Sequence, residues 1–262
     1  MSPTRSVDPL TRRVPGAGGL NATLVRLELV RMLRNRRTII FALVFPTAMF
    51  FVFGSGADGR ESVGVGNVSA YVMVSMAMYG GALIAASAGA GVAVERSLGW
   101  SRQLRLTPLS STVYIVVKAF VALVMGAVAI LAVNVVGAVQ GKPRMPADVW
   151  VTCALLTLAC VMTFAALGVF VGYLVPGENV MQVLGPGLAL LAFLGGLFIP
   201  LSSYSPLIRD IAYWTPMYGV SEVARAPLTH ELPWYAVANA VGWLLLFVVG
   251  AAWRMSRDTA RV

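Results

Sequence analysis

The chain has 262 residues, of which 58% are hydrophobic and 12% charged, and its mean hydropathy is +0.79. Soluble globular domains carry about 25% charged residues, so this composition excludes an ordinary soluble fold and points to the bilayer as solvent. The net charge of +9 comes from basic residues flanking apolar runs; that arrangement reads as membrane topology, and no nucleic-acid partner is expected.

Residues 1–19 are rich in Pro, Gly, Ser, Thr and Arg and are expected to form a disordered cytoplasmic tail. Arg12-Arg13 has the look of a twin-arginine signal, but no apolar stretch follows until Ile39, so a cleavable signal peptide is not expected. Leu20–Arg37 reads as an amphipathic helix. Val25, Leu29, Met32 and Leu33 gather on one side and Glu28, Arg31, Arg34 and Asn35 on another. Such a basic helix ahead of a span is expected to lie in the membrane interface; the alternative is a positively charged flank that only sets topology.

Six apolar runs follow, at about 38–55, 69–94, 112–139, 149–175, 183–200 and 234–253, measured against the roughly 20 residues a spanning helix needs. Pro46 is expected to kink the first. The Lys and Arg bias puts the N-terminal segment, the loop after the second run (Arg96, Arg102, Arg105) and the C-terminal tail in the cytoplasm. Lys118 is expected to snorkel at the cytoplasmic end of the third run. The predicted fold is all-α integral membrane, with six transmembrane helices, an N-terminal interfacial helix and short outer-leaflet helices before the last span. Residues 20–255 form this domain, and 256–262 a cytoplasmic tail.

Small residues crowd the second run from Ala85 to Gly91, and Gly168 and Gly172 make a GxxxG spacing in the fourth. They suit close helix packing, within one chain or between chains. Cys153 and Cys160 are seven residues apart, about 10 Å along a helix, too far for a disulfide; core packing is the expectation.

Catalytic chemistry is missing from the pattern. No run has an Asp or Glu near its middle, and no GxxxxGK[ST] phosphate loop occurs, so no ATP site, cofactor, metal or catalytic residue is expected in this chain. His230 stands alone and is expected at the surface. Asn134, Asn179 and Asn239 are expected to hydrogen-bond between helices. If the chain moves something uphill, its energy must come from another polypeptide.

Two segments carry more. The loop Glu95–Ser110 contains Glu95, Arg96, Gly99, Trp100, Arg102, Leu104 and Arg105, and Pro108 ends it. It reads either as an ordinary topogenic loop or as a short charged helix that offers a handle to a cytoplasmic partner. Residues 201–233 hold two helix starts, Ser205-Pro206 and Thr215-Pro216. Tyr213, Trp214 and Tyr218 suit a membrane–water boundary, so two short helices on or in the outer leaflet are expected.

The pattern Glu-Arg-x-x-Gly-Trp-x-Arg-x-Leu-x-x-Thr-Pro-Leu-Ser over Glu95–Ser110 resembles the cytoplasmic loop of ABC-2 type permeases. Thr215-Pro216-Met217-Tyr218 followed by Arg225 resembles that family's stretch before the last span. The resemblance covers roughly 20–257 and is nearest in flavour to the drug-exporter branch, similar to daunorubicin-resistance permeases. It implies a bacterial plasma-membrane exporter subunit for a drug-like or lipid-like compound. Two such subunits, identical or homologous, would pair with two copies of a cytoplasmic ABC ATPase, which would bind ATP and Mg. The loop around Glu95–Arg105 would be the coupling helix, and the N-terminal helix with Glu28, Arg31 and Arg34 the rest of the docking surface. Export of a lipid-linked glycan or envelope precursor is the alternative within transport. A non-transporting scaffold and a lipid-modifying membrane enzyme are the alternatives outside it.

Overall fold

In a computed structural model, residues 21–54, 56, 60–97, 99, 111–177 and 179–259 are described. Helix α1 (Ala22–Arg34) starts at Asn21, whose side chain accepts from the Thr23 N–H at 3.0 Å, meeting one of the orphan donors of a helix start. After Asn35 the chain turns into α2 (Arg36–Gly54), which holds Pro46 internally. The two helices diverge by 63°, so α1 does not simply extend α2.

A hairpin of β1 (Ser62–Val63) and β2 (Gly66–Asn67) leads into α3 (Val68–Ser97). Asn67 fixes this corner. Its Oδ1 accepts from the Ala70 N–H at 3.0 Å and from the Arg144 N–H at 2.9 Å, and its Nδ2 donates to Lys142 O at 2.9 Å. One side chain therefore caps α3 and ties it to the turn joining α4 (Ser111–Gln140) and α5 (Ala147–Leu174). Next come α6 (Val180–Leu194), a 3-10 turn (Leu201–Ser203), α7 (Pro206–Tyr213), α8 (Pro216–Thr229) and α9 (Trp234–Thr259).

Helix α3 is the axis of the bundle, packed by α2, α4, α5, α6 and α8. Its most apolar stretch is 83% buried, against 17% for α9. The composition explains the difference: Ala, Gly and Ser on α3 let neighbours approach, whereas Val241, Leu245 and Val249 on α9 are exposed. Exposed apolar side chains such as Val116, Phe120 and Leu131 on α4 and Val151 and Leu155 on α5 continue that surface. A soluble protein does not expose an apolar face of this extent, so the chain is membrane-embedded. Exposed Trp234 and Trp253 stand 19 residues apart on α9, about 28 Å at 1.5 Å per residue, close to the hydrocarbon thickness.

Among the described residues, four helices are long and apolar enough to cross a membrane, or five if the bent pair α1–α2 is one span. The expected run 183–200 yields only a 15-residue helix, about 22 Å long. Gly195-Gly196 stops it early. Gly196 takes φ +74, and the Leu197 N–H bonds to Ala192 O at 3.0 Å, the six-to-one closure of a helix end. Apolar Leu197, Phe198 and Ile199 continue the hydropathy but not the helix.

The two short helices expected before the last span are present as α7 and α8, and they differ in burial. Leu207 and Ile211 on α7, and Trp214 at its C-cap, are exposed at helical spacing, as a helix at an interface requires. On α8, Pro216, Met217, Tyr218, Val220, Ala224 and Leu228 are buried, because α8 inserts among α3, α5, α6 and α9.

The close approach of α3 and α5 within this one chain accounts for the small residues. A Cβ at Gly168 would collide with the Ala86 carbonyl, while Gly172 has ordinary room and Gly185 faces open space. Gly168→Ala is expected to destabilise the protein by about 1–3 kcal/mol through overpacking, and Gly185→Ala to have little effect, in thermal unfolding of the detergent-solubilised chain. Equal stabilities would contradict this packing.

Candidate functional site

The charged groups of the bundle gather at its two ends. At the first, α1 presents Glu28 and Arg31 three residues apart, α3 presents Glu95 in its last turn, and α4 presents Tyr114 and Lys118 four residues apart. These spacings put each pair on one helix face. Lys118 Nζ lies 2.6 Å from Glu28 Oε2 and also pairs with Glu95. Arg31 pairs with Glu95 and stands 3.7 Å from Glu28. The Tyr114 hydroxyl donates to the second Glu95 oxygen.

The side chains of Glu95 and Lys118 are 5% and 7% exposed, and that of Arg31 46%. Removing a charge from water costs several kcal/mol unless counter-charges and hydrogen bonds meet it. A carboxylate near a helix C-terminus also opposes the helix dipole. Lys118 and Arg31 relieve Glu95 of both penalties. Two acids and two bases leave the group neutral. Beside it lies a cavity of about 210 Å³ lined by Glu28, Arg31, Asn35, Ser87, Lys118 and Met181, among others.

The second group centres on Arg225 of α8, which is 1% exposed. Its Nη1 donates to Ser75 Oγ at 3.1 Å and to Gly196 O at 3.0 Å; its Nη2 donates to Glu222 at 2.7 Å and to Ser221 Oγ at 3.3 Å. The Tyr71 ring lies 4.4 Å beneath the guanidinium. One side chain thus joins α3, the turn after α6, and α8. Ser75 and Glu95 are 20 residues apart on α3, about 30 Å, so the two groups sit near opposite membrane faces. Tyr204, outside the spanning helices, donates to Phe193 O at 2.5 Å, and burial raises its pKa.

Several expectations are revised. Lys118 does not snorkel to water; it is buried between two carboxylates. Glu95 is not an exposed docking charge, since its carboxylate is satisfied inside the chain. Arg225, Pro216 and Tyr218 lie in the bundle rather than at its surface, while Tyr213 and Trp214 are exposed. Arg34 is exposed at the end of α1. Gly99 follows α3 with φ +70 in open space, a left-handed turn that favours glycine. Trp100, Arg102, Leu104, Arg105 and Pro108, and the side chain of Arg96, lie outside the described residues.

Among the asparagines, Asn134 accepts from Trp150 Nε1 at 2.6 Å between α4 and α5, and Asn239 donates to Tyr213 O at 2.9 Å. Asn179 precedes α6 without a side-chain capping bond. His230 is exposed in the left-handed conformation after α8. The sequence reading missed Tyr114, Tyr71, Ser75 and Glu222. The signal for the first group was Lys118 itself, the one charge within the third apolar run, because such a residue calls for a partner.

The fold and these groups define an all-α membrane protein whose buried charges, among the described residues, tie its helices together near the two ends of the bundle. A family model described as ABC-2 type transporter matches residues 20–229, and the chain belongs to that family. It is 25% identical over 226 residues, 85% of this chain and 91% of the relative, to "Putative transport permease YvfS" of Bacillus subtilis (strain 168). Membership makes the chain a transport permease, and the family implies an ABC ATPase partner in general.

Arg225→Lys tests the second group. Lysine keeps the charge but cannot fork to Ser75, Gly196 O, Ser221 and Glu222 together. A loss of about 1–3 kcal/mol is expected from the unmet buried groups, read as a lowered unfolding temperature; an unchanged temperature would show that the forked contacts contribute nothing.

Proposed function

We propose that this chain is the membrane-spanning subunit of an ATP-binding-cassette exporter that moves a hydrophobic or amphipathic compound, drug-like or lipid-like, out of the cytoplasm or inner leaflet. ATP is hydrolysed by a separate subunit, which binds the nucleotide and magnesium. Two permease subunits, identical or homologous, pair and engage two ATPases. The chain crosses a bacterial plasma membrane six times, with α2 and α6 as the short crossings and both termini in the cytoplasm.

The observation that carries this reading is the Glu28–Arg31–Glu95–Lys118 group. It joins the basic helix α1 to the end of α3 and the first turns of α4, on either side of the loop within Glu95–Ser110, the segment resembling the family's cytoplasmic loop. An ATPase that docks on 98–110 and α1 would move both as one body. Helix α3, about 45 Å long for its 30 residues, would carry that motion to the Arg225 group at the far end. The match to a relative named as a transport permease supports transport over a scaffold or an enzyme.

The test is coupling to a co-expressed cognate ATPase. The purified chain alone is expected to hydrolyse no ATP, because it has no phosphate loop. Arg102→Ala and Arg105→Ala should weaken ATPase co-purification and transport without lowering thermal stability. A buried interfacial charge contact costs about 2–5 kcal/mol when broken, and a rim contact far less. Arg60→Ala, in the predicted outer loop, should change neither. If alanine at every position from 96 to 105 leaves ATPase association and transport intact, the docking assignment fails. Hydrolysis by a preparation free of any ATPase subunit would sink the subunit reading.

A further inference from the structure

Helix α6 is weakest in its middle, where Pro186 stands between Gly185 and Gly187. Proline has no N–H, so the Gln182 carbonyl loses its helical donor, and the proline ring crowds that same carbonyl. Glycine is the next poorest helix former. Close packing explains glycine elsewhere in the bundle: a Cβ at Gly89, Gly168 or Gly219 would strike neighbouring backbone. At Gly185 and Gly187 an added Cβ meets nothing within 4 Å. Among the described residues, no contact calls for glycine at either position, so what the pair changes is the backbone.

The two halves of α6 are held differently. Beyond the proline, Leu188 and Ala192 are buried, and three carbonyls at the helix end accept from side chains. The Tyr204 hydroxyl donates to Phe193 O at 2.5 Å, Ser221 Oγ to Gly195 O at 3.2 Å and Arg225 Nη1 to Gly196 O at 3.0 Å. Before the proline, the first turn starts at Asn179 without a side-chain cap. The only side-chain hydrogen bond on residues 180–184, among the described residues, is a weak one, from Ser87 Oγ to Met181 Sδ at 3.8 Å. Met181 and Val183 are exposed. Val180 and Met181 also line the 210 Å³ cavity beside the ion group, and a void offers no packing partners on that side. The second half is clamped, the first has room to move, and the joint between them is soft.

We propose that Gly185-Pro186-Gly187 is a hinge on which residues 180–184 swing away from α3 and back, opening and closing one wall of that cavity, while residues 188–196 stay fixed to the Arg225 group. Sharp helix bends arise at such Pro and Gly positions, and a few residues that absorb a torsion change are enough to move one packed element against another. The described conformation is the seated one, with Val180 1% and Leu184 5% exposed. Glu28, Arg31 and Asn35 line the same cavity, so the swing sets how far water reaches the ion group. The hinge does not rest on the export reading.

The experiment uses the full chain in lipid vesicles, with Cys153→Ala and Cys160→Ala removing the native thiols. Val180→Cys is reacted with a water-soluble thiol reagent, and its rate follows the population in which the turn is out. Stiffening the joint with Gly185→Ala, Pro186→Ala and Gly187→Ala together should slow that reaction about five-fold, as for any loss of a local opening, with no fall in unfolding temperature. If the triple variant fails to fold, Gly185→Ala with Gly187→Ala decides the same comparison. In parallel, spin labels at exposed Gln182 and Val249 report the spread of distances, with labelled chain diluted in unlabelled chain. That spread should be broad and should narrow in the stiffened variant. Between exposed Leu190 and Val249 it should be narrow in both. Three results would each overturn the proposal. One is equal reaction of Val180→Cys with the natural and the stiffened joint at normal stability. Another is a Gln182–Val249 spread no broader than that of Leu190–Val249. The third is efficient disulfide formation between Gly185→Cys chains in the membrane, which would assign the glycines to packing against a second copy.

Discussion

A charge that leaves water at the edge of a bilayer must meet its counter-charge inside the protein, and in this chain that constraint fixes how three helices meet. Lys118 lies about two turns into α4 and its side chain is buried. Glu28 and Glu95 meet it from α1 and α3, and Arg31 and Tyr114 complete the coordination of Glu95. Removing one member would strand another in a low dielectric, at a cost of about 3–5 kcal/mol. Hydrophobic attraction cannot choose this arrangement, since lipid tails solvate apolar helix faces as well as other helices do. The ion group can, because few positions of α1 satisfy both carboxylates at once.

The same logic recurs at the far end with a different chemistry. Arg225 ties α8 to α3 and to the turn after α6 by hydrogen bonds, mostly to neutral acceptors, and by the face of Tyr71. Between the two ends α3 and α5 lie against each other through Gly89 and Gly168, where any side chain would strike backbone. The result is a stiff central pair with a polar clasp at each end. A permease needs such a body if motion at one membrane face is to be felt at the other.

Much of this was legible in the residues. Apolar runs of 20 residues or more marked α3, α4, α5 and α9, and Ser205-Pro206 and Thr215-Pro216 marked the starts of α7 and α8. The misplaced features share a cause. Hydropathy reads how apolar a segment is and not which way each side chain points. It therefore carried the fifth run past Gly195-Gly196, where backbone torsion ends the helix, and left α8 at the surface although it is buried on several sides. Partnerships 64 to 150 residues apart, such as Arg31 with Glu95 and Arg225 with Ser75, leave no local pattern. A lone Lys118 in an apolar run announced that a partner existed without saying which.

The central claim is that Glu95 and Lys118 act as one unit, and a double-mutant cycle addresses it directly. Unfolding free energies of the wild type, Glu95→Gln, Lys118→Met and the combined variant would be measured in mixed micelles. The account predicts that both single changes are strongly destabilising and that the combined loss falls short of their sum by about 1–3 kcal/mol, because the second change removes a group the first had stranded. Losses that add to within about 0.5 kcal/mol would contradict it, since the two residues would then be independent and the clasp would not exist.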